Sequence, residues 1–398
     1  MNVLFLMISF PDIRENSNLY SDLAEEFRKN GHNIYVATLL EKKYNQATYL
    51  EKVKELNILR IRAGNWFNIN SVIKKGLTTV TIPNFFKKAV QKYFDNIKFD
   101  LVIYPTPPIT FAPVVKYLKQ RDECTSYLIL RDIFPQNVRD LGLLNNQILF
   151  NYFRRKEKQL YNISDYIGCM SEGNIKYVLE HNSVDVNKLE ILYNWGKIDY
   201  DDELSYVNYK EKYGLGNKFV AVFGGNIGLP QELEFLLELA KEYKERDDII
   251  FLVIGKGAQK QKIVDLIKSE NISNVVIKDY LPRDEYENLI TQCDIGLINL
   301  SRNFTIPNIP SKTIAYFKAG IPILASTDKN TDYKDLLVKK SKAGLWSETG
   351  DLKTYKNNFE MLLNNRKLRK ELGKNGKKFL KENLSVEKAY QIIMKHFE

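Results

Sequence analysis

Residues suited to chemistry gather in the turns that follow short apolar runs, and three such turns fall in the second half of the chain. In FGGNIGLPQELE, residues 223–234, a run ends at Phe223 and Gly224-Gly225-Asn226-Ile227-Gly228 follows. Glycines let backbone amides approach a ligand, and the start of the next helix favours an anion. Gly225 and Asn226 therefore read as a phosphate cradle, or else as a tight strand-to-helix turn. In VIGKGAQK, residues 253–260, Lys256 stands between two glycines, where it can reach a diphosphate or simply point into water. In IPSKTIAYFKAGIPILAS, residues 309–326, a helix opens with Pro310-Ser311-Lys312-Thr313. Ser311 or Thr313 is expected to cap it. Lys312 puts a full positive charge where the helix dipole is already positive, so an anion is expected to offset it. The other reading is a cap beside a solvated lysine. Together the three turns point to a nucleotide diphosphate. Neither the dinucleotide GxGxxG spacing nor a P-loop GK[ST] occurs.

The first half offers a different set. Phe10-Pro11-Asp12 follows the first apolar run, Tyr104-Pro105-Thr106-Pro107-Pro108 a later one, and Leu130-Arg131-Asp132-Ile133-Phe134-Pro135 a third. Asp132 directly follows a strand and is the candidate polar catalytic group. An Arg131–Asp132 ion pair that only shapes the loop is the alternative. Asp199-Tyr200-Asp201 has the D-x-D form of metal-dependent sugar transfer, but it falls in a polar connecting segment and reads as chance. The three cysteines and three histidines are scattered. Their spacing supports neither a disulfide framework nor a zinc site, and the expectation for metal is none.

The elements that must position these turns alternate along the chain. Val3–Ile8, Asn33–Thr38, Asp100–Tyr104, Ser126–Leu130, Asp165–Cys169 and Leu189–Leu192 read as strands, with helical patterns between. A second series runs through Lys218–Phe223, Ile250–Gly255, Val275–Ile277, Asp294–Ile298 and Ile321–Ala325. Helices are expected at 231–246, 258–270 and 283–292, and the chain closes with basic amphipathic helices at 366–381 and 385–397. Short apolar strands alternating with helices argue for parallel sheets covered on both faces. The expected fold class is α/β, two doubly wound Rossmann-like domains. Residues 1–196 form the first domain, 197–216 a linker and 217–382 the second. In such sheets ligands bind outside the carboxyl ends of the strands, which is where all these turns lie.

Composition narrows the class. The chain has 398 residues, 44% hydrophobic and 27% charged, which fits a globular protein of two domains. No apolar run approaches the roughly 20 residues a membrane span needs. MNVLFLMISFPD reads as a first strand and not as a signal peptide. Cysteine usage suggests a reducing compartment. The net charge is +10, and residues 60–98 hold eight Arg/Lys (Arg60, Arg62, Lys74, Lys75, Lys87, Lys88, Lys92, Lys98) against Asp95. Within it Phe85, Phe86, Ala89, Val90 and Phe94 can share a helical face beside Lys87, Lys88 and Lys92. That pattern suits an anionic membrane surface, or an ordinary domain helix with a solvated lysine face. No nucleic-acid motif accompanies the charge, so nucleic acid is not an expected partner.

These stretches resemble a known family, the retaining glycosyltransferases of family 4 with the GT-B fold. The nearest branch builds bacterial capsular, O-antigen and exopolysaccharide repeats. The likeness runs over essentially the whole chain: MNVLFLMISFPD with LAEEFRKNGHNIYVAT, FDLVIYPTPPITFAPV, LRDIFPQNVRDLGLL, ILYNWGKID, FGGNIGLPQELE, VIGKGAQ, CDIGLINL and IPSKTIAYFKAGIPILAS. The last is the most specific, because P-S-K before a helix and A-G-x-P-I-(L/I)-A after it is a long pattern. The resemblance implies two domains facing across a cleft, with a final helix, about 383–398, crossing back to the first. It implies a UDP-sugar as donor substrate and no cofactor. Gly225, Asn226, Lys256, Pro310, Ser311, Lys312 and Thr313 would bind that donor, with uracil against Tyr280-Leu281. Phe10, Pro11, Thr106 and Arg131 would face the acceptor, a lipid-linked glycan on a polyprenyl diphosphate, and Asp132 would act in catalysis. The protein is expected in the cytoplasm, held peripherally at the inner face of the membrane by Lys74, Lys75, Phe85, Phe86, Lys87 and Lys88. Oligomeric state is not implied. There are departures. Many members carry two glutamates eight apart around the last motif, where this chain has Pro307 and Ala315. A basic residue common after the glycine turn is replaced by Leu229, Pro230 and Gln231. Two alternatives share the architecture: a UDP-sugar 2-epimerase, which the few histidines disfavour, and a non-catalytic sugar-nucleotide-binding protein at the membrane.

Overall fold

The computed structural model describes residues 1–66, 72–198 and 207–397. The chain divides into two compact units, Met1–Tyr193 with Val386–Glu398, and Asn194–Ser385. The D-x-D at 199–201 lies outside the described residues, as do the side chains of Lys74 and Lys75.

Among the described residues the first unit holds an eight-stranded sheet in the order β3-β4-β2-β1-β5-β6-β7-β8. The strands are β1 (Asn2–Met7), β2 (Asn33–Glu41), β3 (Tyr49–Val53), β4 (Leu56–Ala63), β5 (Leu101–Pro105), β6 (Thr125–Leu130), β7 (Tyr166–Cys169) and β8 (Leu189–Ile191). Its helices are α1 (Leu19–Lys29), α2 (Val72–Tyr93), α3 (Ala112–Asp122), α4 (Gln136–Asp140), α5 (Gln147–Ile163) and α6 (Glu172–His181). The central strands are apolar at consecutive positions because helices cover both faces: Val3 through Met7 and Leu101 through Tyr104 are all fully buried. All pairings are parallel except β3 with β4, an antiparallel hairpin with Tyr49 opposite Arg60. No element was expected over that hairpin from the sequence. Its turn residues Lys54 and Glu55 have φ of 48° and 66°, the left-handed pair of a two-residue turn. Such turns are normally announced by Asn-Gly, so Lys-Glu hides this one.

In the second unit the described residues form a six-stranded parallel sheet, β11-β10-β9-β12-β13-β14. The strands are β9 (Phe219–Asn226), β10 (Ile249–Lys256), β11 (Val275–Lys278), β12 (Ile295–Asn299), β13 (Ile323–Thr327) and β14 (Gly344–Glu348). Covering helices are α7 (Tyr209–Lys212), α8 (Leu233–Lys241), α9 (Lys260–Ser269), α10 (Arg283–Thr291), α11 (Lys312–Ala319), α12 (Leu352–Asn364) and α13 (Arg366–Asn383). Strand order reverses between β9 and β12, the point at which an open α/β sheet binds ligands. Edge strand β14 was not expected, since GLWSE has neither an apolar run nor clear alternation.

Two features concern the unit boundary. The expected linker begins after residue 196, whereas the contact division places 194–216 with the second unit. Gly196 N–H donates to Leu384 O at 2.9 Å, and Tyr213 Oη donates to a Glu285 oxygen at 2.6 Å. The last helix, α14 (Val386–Met394), belongs to the first unit. There Tyr390 meets Phe27 of α1 edge-on at 4.8 Å and His32 Nε2 at 2.9 Å. Among the described residues no helix is long and apolar enough to cross a membrane.

Candidate functional site

The second unit's site is built around the reversal point. Tyr316 of α11 reaches it from the side. Its hydroxyl accepts from Gly224 N at 3.1 Å and lies 3.0 Å from Val222 O and 3.3 Å from Leu297 O. It therefore ties the ends of β9 and β12 to one helix. Gly296 is required there, because a Cβ would stand 2.5 Å from the Tyr316 ring. Past the reversal point, β9 and β10 stay paired to their last residues, with Gly225 opposite Gly255 and Asn226 opposite Lys256. Gly255 has a φ of 156°, and a Cβ on it would overlap Gly225 O at 1.8 Å. The two glycine turns are thus one closely packed surface at the carboxyl end of the sheet, with Gly225, Asn226 and Lys256 exposed on it.

Lys312 is set against this surface. Its Cε would lie 3.8 Å from a Cβ on Gly225, and its Nζ is 3.5 Å from the centre of the Phe223 ring. Among the described residues no carboxylate pairs with it. Burial pushes its ammonium down to about 7. The expected cap is not made. Ser311 is helical and its side chain accepts no capping hydrogen bond, while Thr313 Oγ1 is engaged by Tyr333 Oη at 2.8 Å. Thr313 is buried and so is removed from the set of ligand-facing side chains. Among the described residues, no acceptor meets the amides of Ser311 and Lys312. A helix start without a side-chain cap, beside a desolvated lysine without a counterion, is a receptor for an anion. Pro310 is buried, and its carbonyl accepts from Thr313 N at 3.2 Å. Asn308 N and O both meet Thr331 Oγ1 at 2.8 Å, which steadies the approach to the helix.

Lys256 and Tyr280 also meet: Lys256 Nζ is 5.3 Å from the Tyr280 ring, which is 62% exposed. Leu281 next to it is half-buried. The exposed ring is a flat surface next to a cation, suited to a base. Sequence reasoning did not single out Tyr316. Its one sequence signal is the spacing of four from Lys312, which puts both on one helical face. It also missed the bracket Arg302–Glu232, where Arg302 Nε donates at 2.6 Å and Arg302 N at 2.8 Å.

In the first unit the loops gather differently from expectation. Thr106 is buried, and its Oγ1 accepts from Arg131 N at 3.0 Å and Asp132 N at 3.1 Å. It is a clip between the β5 and β6 turns. Phe10 is buried in the core, and its carbonyl accepts from Arg60 Nη1 at 3.0 Å. Pro11 O accepts from Arg60 Nη2 at 3.3 Å. Arg131 and Asp132 are brought to the end of β6, both half-buried, and the charges of both act on the Tyr20 hydroxyl. Arg131 Nη1 is buried with no hydrogen-bond partner among the described residues.

The expected membrane face of α2 is largely an inner face. Phe86, Val90, Phe94 and Ala89 are buried in the first unit's core, and the Phe86 ring lies 5.0 Å from Phe111. Phe85 remains 45% exposed and Lys88 is exposed, while Lys87 lies over the Tyr117 ring at 5.1 Å. The apolar stripe read from the sequence is real, but it packs against α3 and the sheet.

Residues 207–379 match the family model described as "Glycosyl transferases group 1". The matched stretch lies within the second unit and is less than half of the chain. Among curated proteins the chain is similar to the "Probable glycosyltransferase WbjE" of Pseudomonas aeruginosa, 23% identical over 281 residues, 68% of this chain and 67% of that protein. Matches to three further curated relatives span 63% to 66% of their lengths. Of solved structures, WaaG, described as a glycosyltransferase involved in lipopolysaccharide biosynthesis, superposes with a TM-score of 0.69 at 13% identity, over 99% of each chain. Anabaena HepE in complex with UDP superposes with a TM-score of 0.71 at 12% identity, over 100% of this chain and 99% of that one. These likenesses show the fold, the paired Rossmann-like units of GT-B glycosyltransferases. The matched residues hold the reversal point, both glycine turns and α11. Their match supports glycosyl transfer as the chemistry.

Proposed function

We propose that the protein is a retaining glycosyltransferase that works without a bound metal ion. It moves a sugar from a UDP-sugar to a polyprenyl-diphosphate-linked glycan during synthesis of a bacterial surface polysaccharide. The observation that carries the donor half is Lys312, a desolvated cation with no carboxylate paired to it among the described residues, at an uncapped helix start 3.8 Å from a Cβ on Gly225. A diphosphate there supplies the missing charge and accepts from the amides of Ser311 and Lys312. Lys256 adds a second cation at the end of β10, and Tyr280 offers its ring to the base. Support for UDP comes from HepE, and support for the polysaccharide setting from WaaG. In a front-face transfer the leaving phosphate takes the acceptor's proton, so no enzyme base is needed. Asp132 then orients the acceptor or steadies positive charge at the anomeric carbon.

The test is a thermal-shift titration against UDP, GDP, dTDP, ADP and CMP, without metal and then with magnesium. A shift with UDP, unchanged by magnesium, is expected. No shift with any of them would overturn the donor site. Ala315 favours a second reading, because it stands where many members of the resembled family carry a glutamate. In that reading the protein binds a sugar nucleotide without turning it over. UDP release from UDP-sugars in the presence of lipid-linked acceptor separates the two.

A further inference from the structure

Away from these sites, the loop after α4 and the first turn of α5 expose Leu143 (48%), Ile148 (80%) and Leu149 (47%). This exposure is built in. Asn146 caps α5, its Oδ1 accepting from the amides of Ile148 and Leu149, each at 3.0 Å. The inner face of the helix is anchored by buried Phe153, Leu160 and Tyr161. Spacings of four and seven place Tyr152 and Arg155 on the same face as Ile148. Arg155 and Lys158 are exposed, and among the described residues neither has an ion pair. Lys156 lies 5.5 Å from the Tyr152 ring. The one carboxylate of α5, Glu157, is fully buried and bound to Arg154 and to Tyr161 Oη. The helix therefore presents an aliphatic tip and a cationic flank with no exposed acid.

We propose that this end of α5, with the loop before it, docks the protein on an anionic lipid bilayer. Leu143, Ile148 and Leu149 enter the acyl boundary, and Arg155, Lys156 and Lys158 meet lipid phosphates. Charge selects this occupant: the chain carries +10, and the flank has no carboxylate to hold its cations. The most exposed apolar groups here, Leu143, Ile148 and Leu149, are aliphatic and suit an acyl layer beside a cationic flank. The inference names a surface for the lipid side of the proposed function, and it moves that surface from α2 to α5.

The test sediments full-length protein with vesicles of phosphatidylglycerol and phosphatidylcholine in equal parts, and with phosphatidylcholine alone. Binding to the mixed vesicles, weakened by salt, is expected. Ile148→Asp with Leu149→Asp should weaken it about tenfold or more. Acidic residues suit a first helical turn, so this variant keeps the fold. Arg155→Glu with Lys158→Glu should weaken binding about tenfold. Both variants should keep the unfolding midpoint and the UDP-induced shift. No wild-type binding, equal binding to neutral vesicles, or wild-type binding by both variants would overturn the proposal. So would a dimer, seen by light scattering, that Ile148→Asp with Leu149→Asp dissolves. Vesicle binding without a UDP shift would sink the donor site and leave the docking surface standing.

Discussion

At the residue scale, Lys312 sets stability against binding. Its folded pKa is about 7, below the value of about 10.4 for an unfolded lysine. Between those limits the unfolded chain holds a proton that the folded chain lacks. The contribution of this group to stability therefore rises with pH from about 7 to about 10. Ligand binding has the opposite sign, because a diphosphate favours the charged form. UDP should bind with proton uptake and more weakly as pH rises above about 7. Calorimetry in buffers of different ionisation heat, near pH 8, should show that uptake; none would remove Lys312 from the phosphate contacts. Lys312→Met should raise the melting temperature of the free protein and abolish the UDP shift. Tyr316→Phe tests the framework instead. It leaves the buried Gly224 N–H without an acceptor, at a cost of about 1–3 kcal/mol in urea unfolding. An unchanged midpoint would show that the strand ends do not depend on that hydroxyl. Lys312 was legible because its neighbours are local: a P-S-K run before a helix. Tyr316 was not, because its partners lie 19 to 94 positions away on β9 and β12.

At the scale of elements, most strands were legible, the edge strands β8 and β11 among them, while β3, β4 and β14 were not. A covered strand must be apolar at every position, and Val3–Ile8 or Ile250–Gly255 announce themselves. An edge strand faces solvent along one side, and β3 and β14 carry the mixed composition that this permits. The β3–β4 turn makes a testable case. Left-handed backbone at Lys54 and Glu55 is costly for residues with a Cβ. Lys54→Asn with Glu55→Gly should stabilise the protein by about 1 kcal/mol, read by chemical denaturation. The pairs given up, Lys54 with Ile13 O and Glu55 with Arg28, are exposed and contribute little. A loss of stability would mean those contacts outweigh the backbone gain. On α2 the stripe of Phe86, Ala89, Val90 and Phe94 was read correctly as one face. Hydrophobic period locates an apolar face but does not say whether protein or lipid covers it.

At the scale of the whole chain, the last helix completes the unit built by the first residues. Tyr390 on Phe27 and His32 joins segments more than 350 positions apart, and His32 Nε2 with Tyr390 Oη is separated by 358. Lys395 and His396 both reach Glu190 at the sheet edge, at 2.6 Å and 3.1 Å. Tyr390→Ala should cost on the order of 2 kcal/mol. Hydrogen exchange should then rise in α1 and β2 while β9 and β10 keep their protection. Equal loss in both units would show that the helix does not stabilise the first unit selectively.

By itself the sequence determined the class of fold, two series of covered strands and the glycine and P-S-K turns at their carboxyl ends. These are local matters of periodicity, glycine and helix-start chemistry, readable within about ten residues. Only the tertiary structure decided that β9 and β12 flank the reversal point and that Lys312 lies beside Gly225 with no carboxylate paired to it among the described residues. It also decided that Thr106 and Phe10 make scaffolding contacts, and that most of the α2 stripe is buried while Leu143, Ile148 and Leu149 are exposed around the start of α5. Each of those depends on which distant segment fills the space beside a side chain, and that is a property of packing.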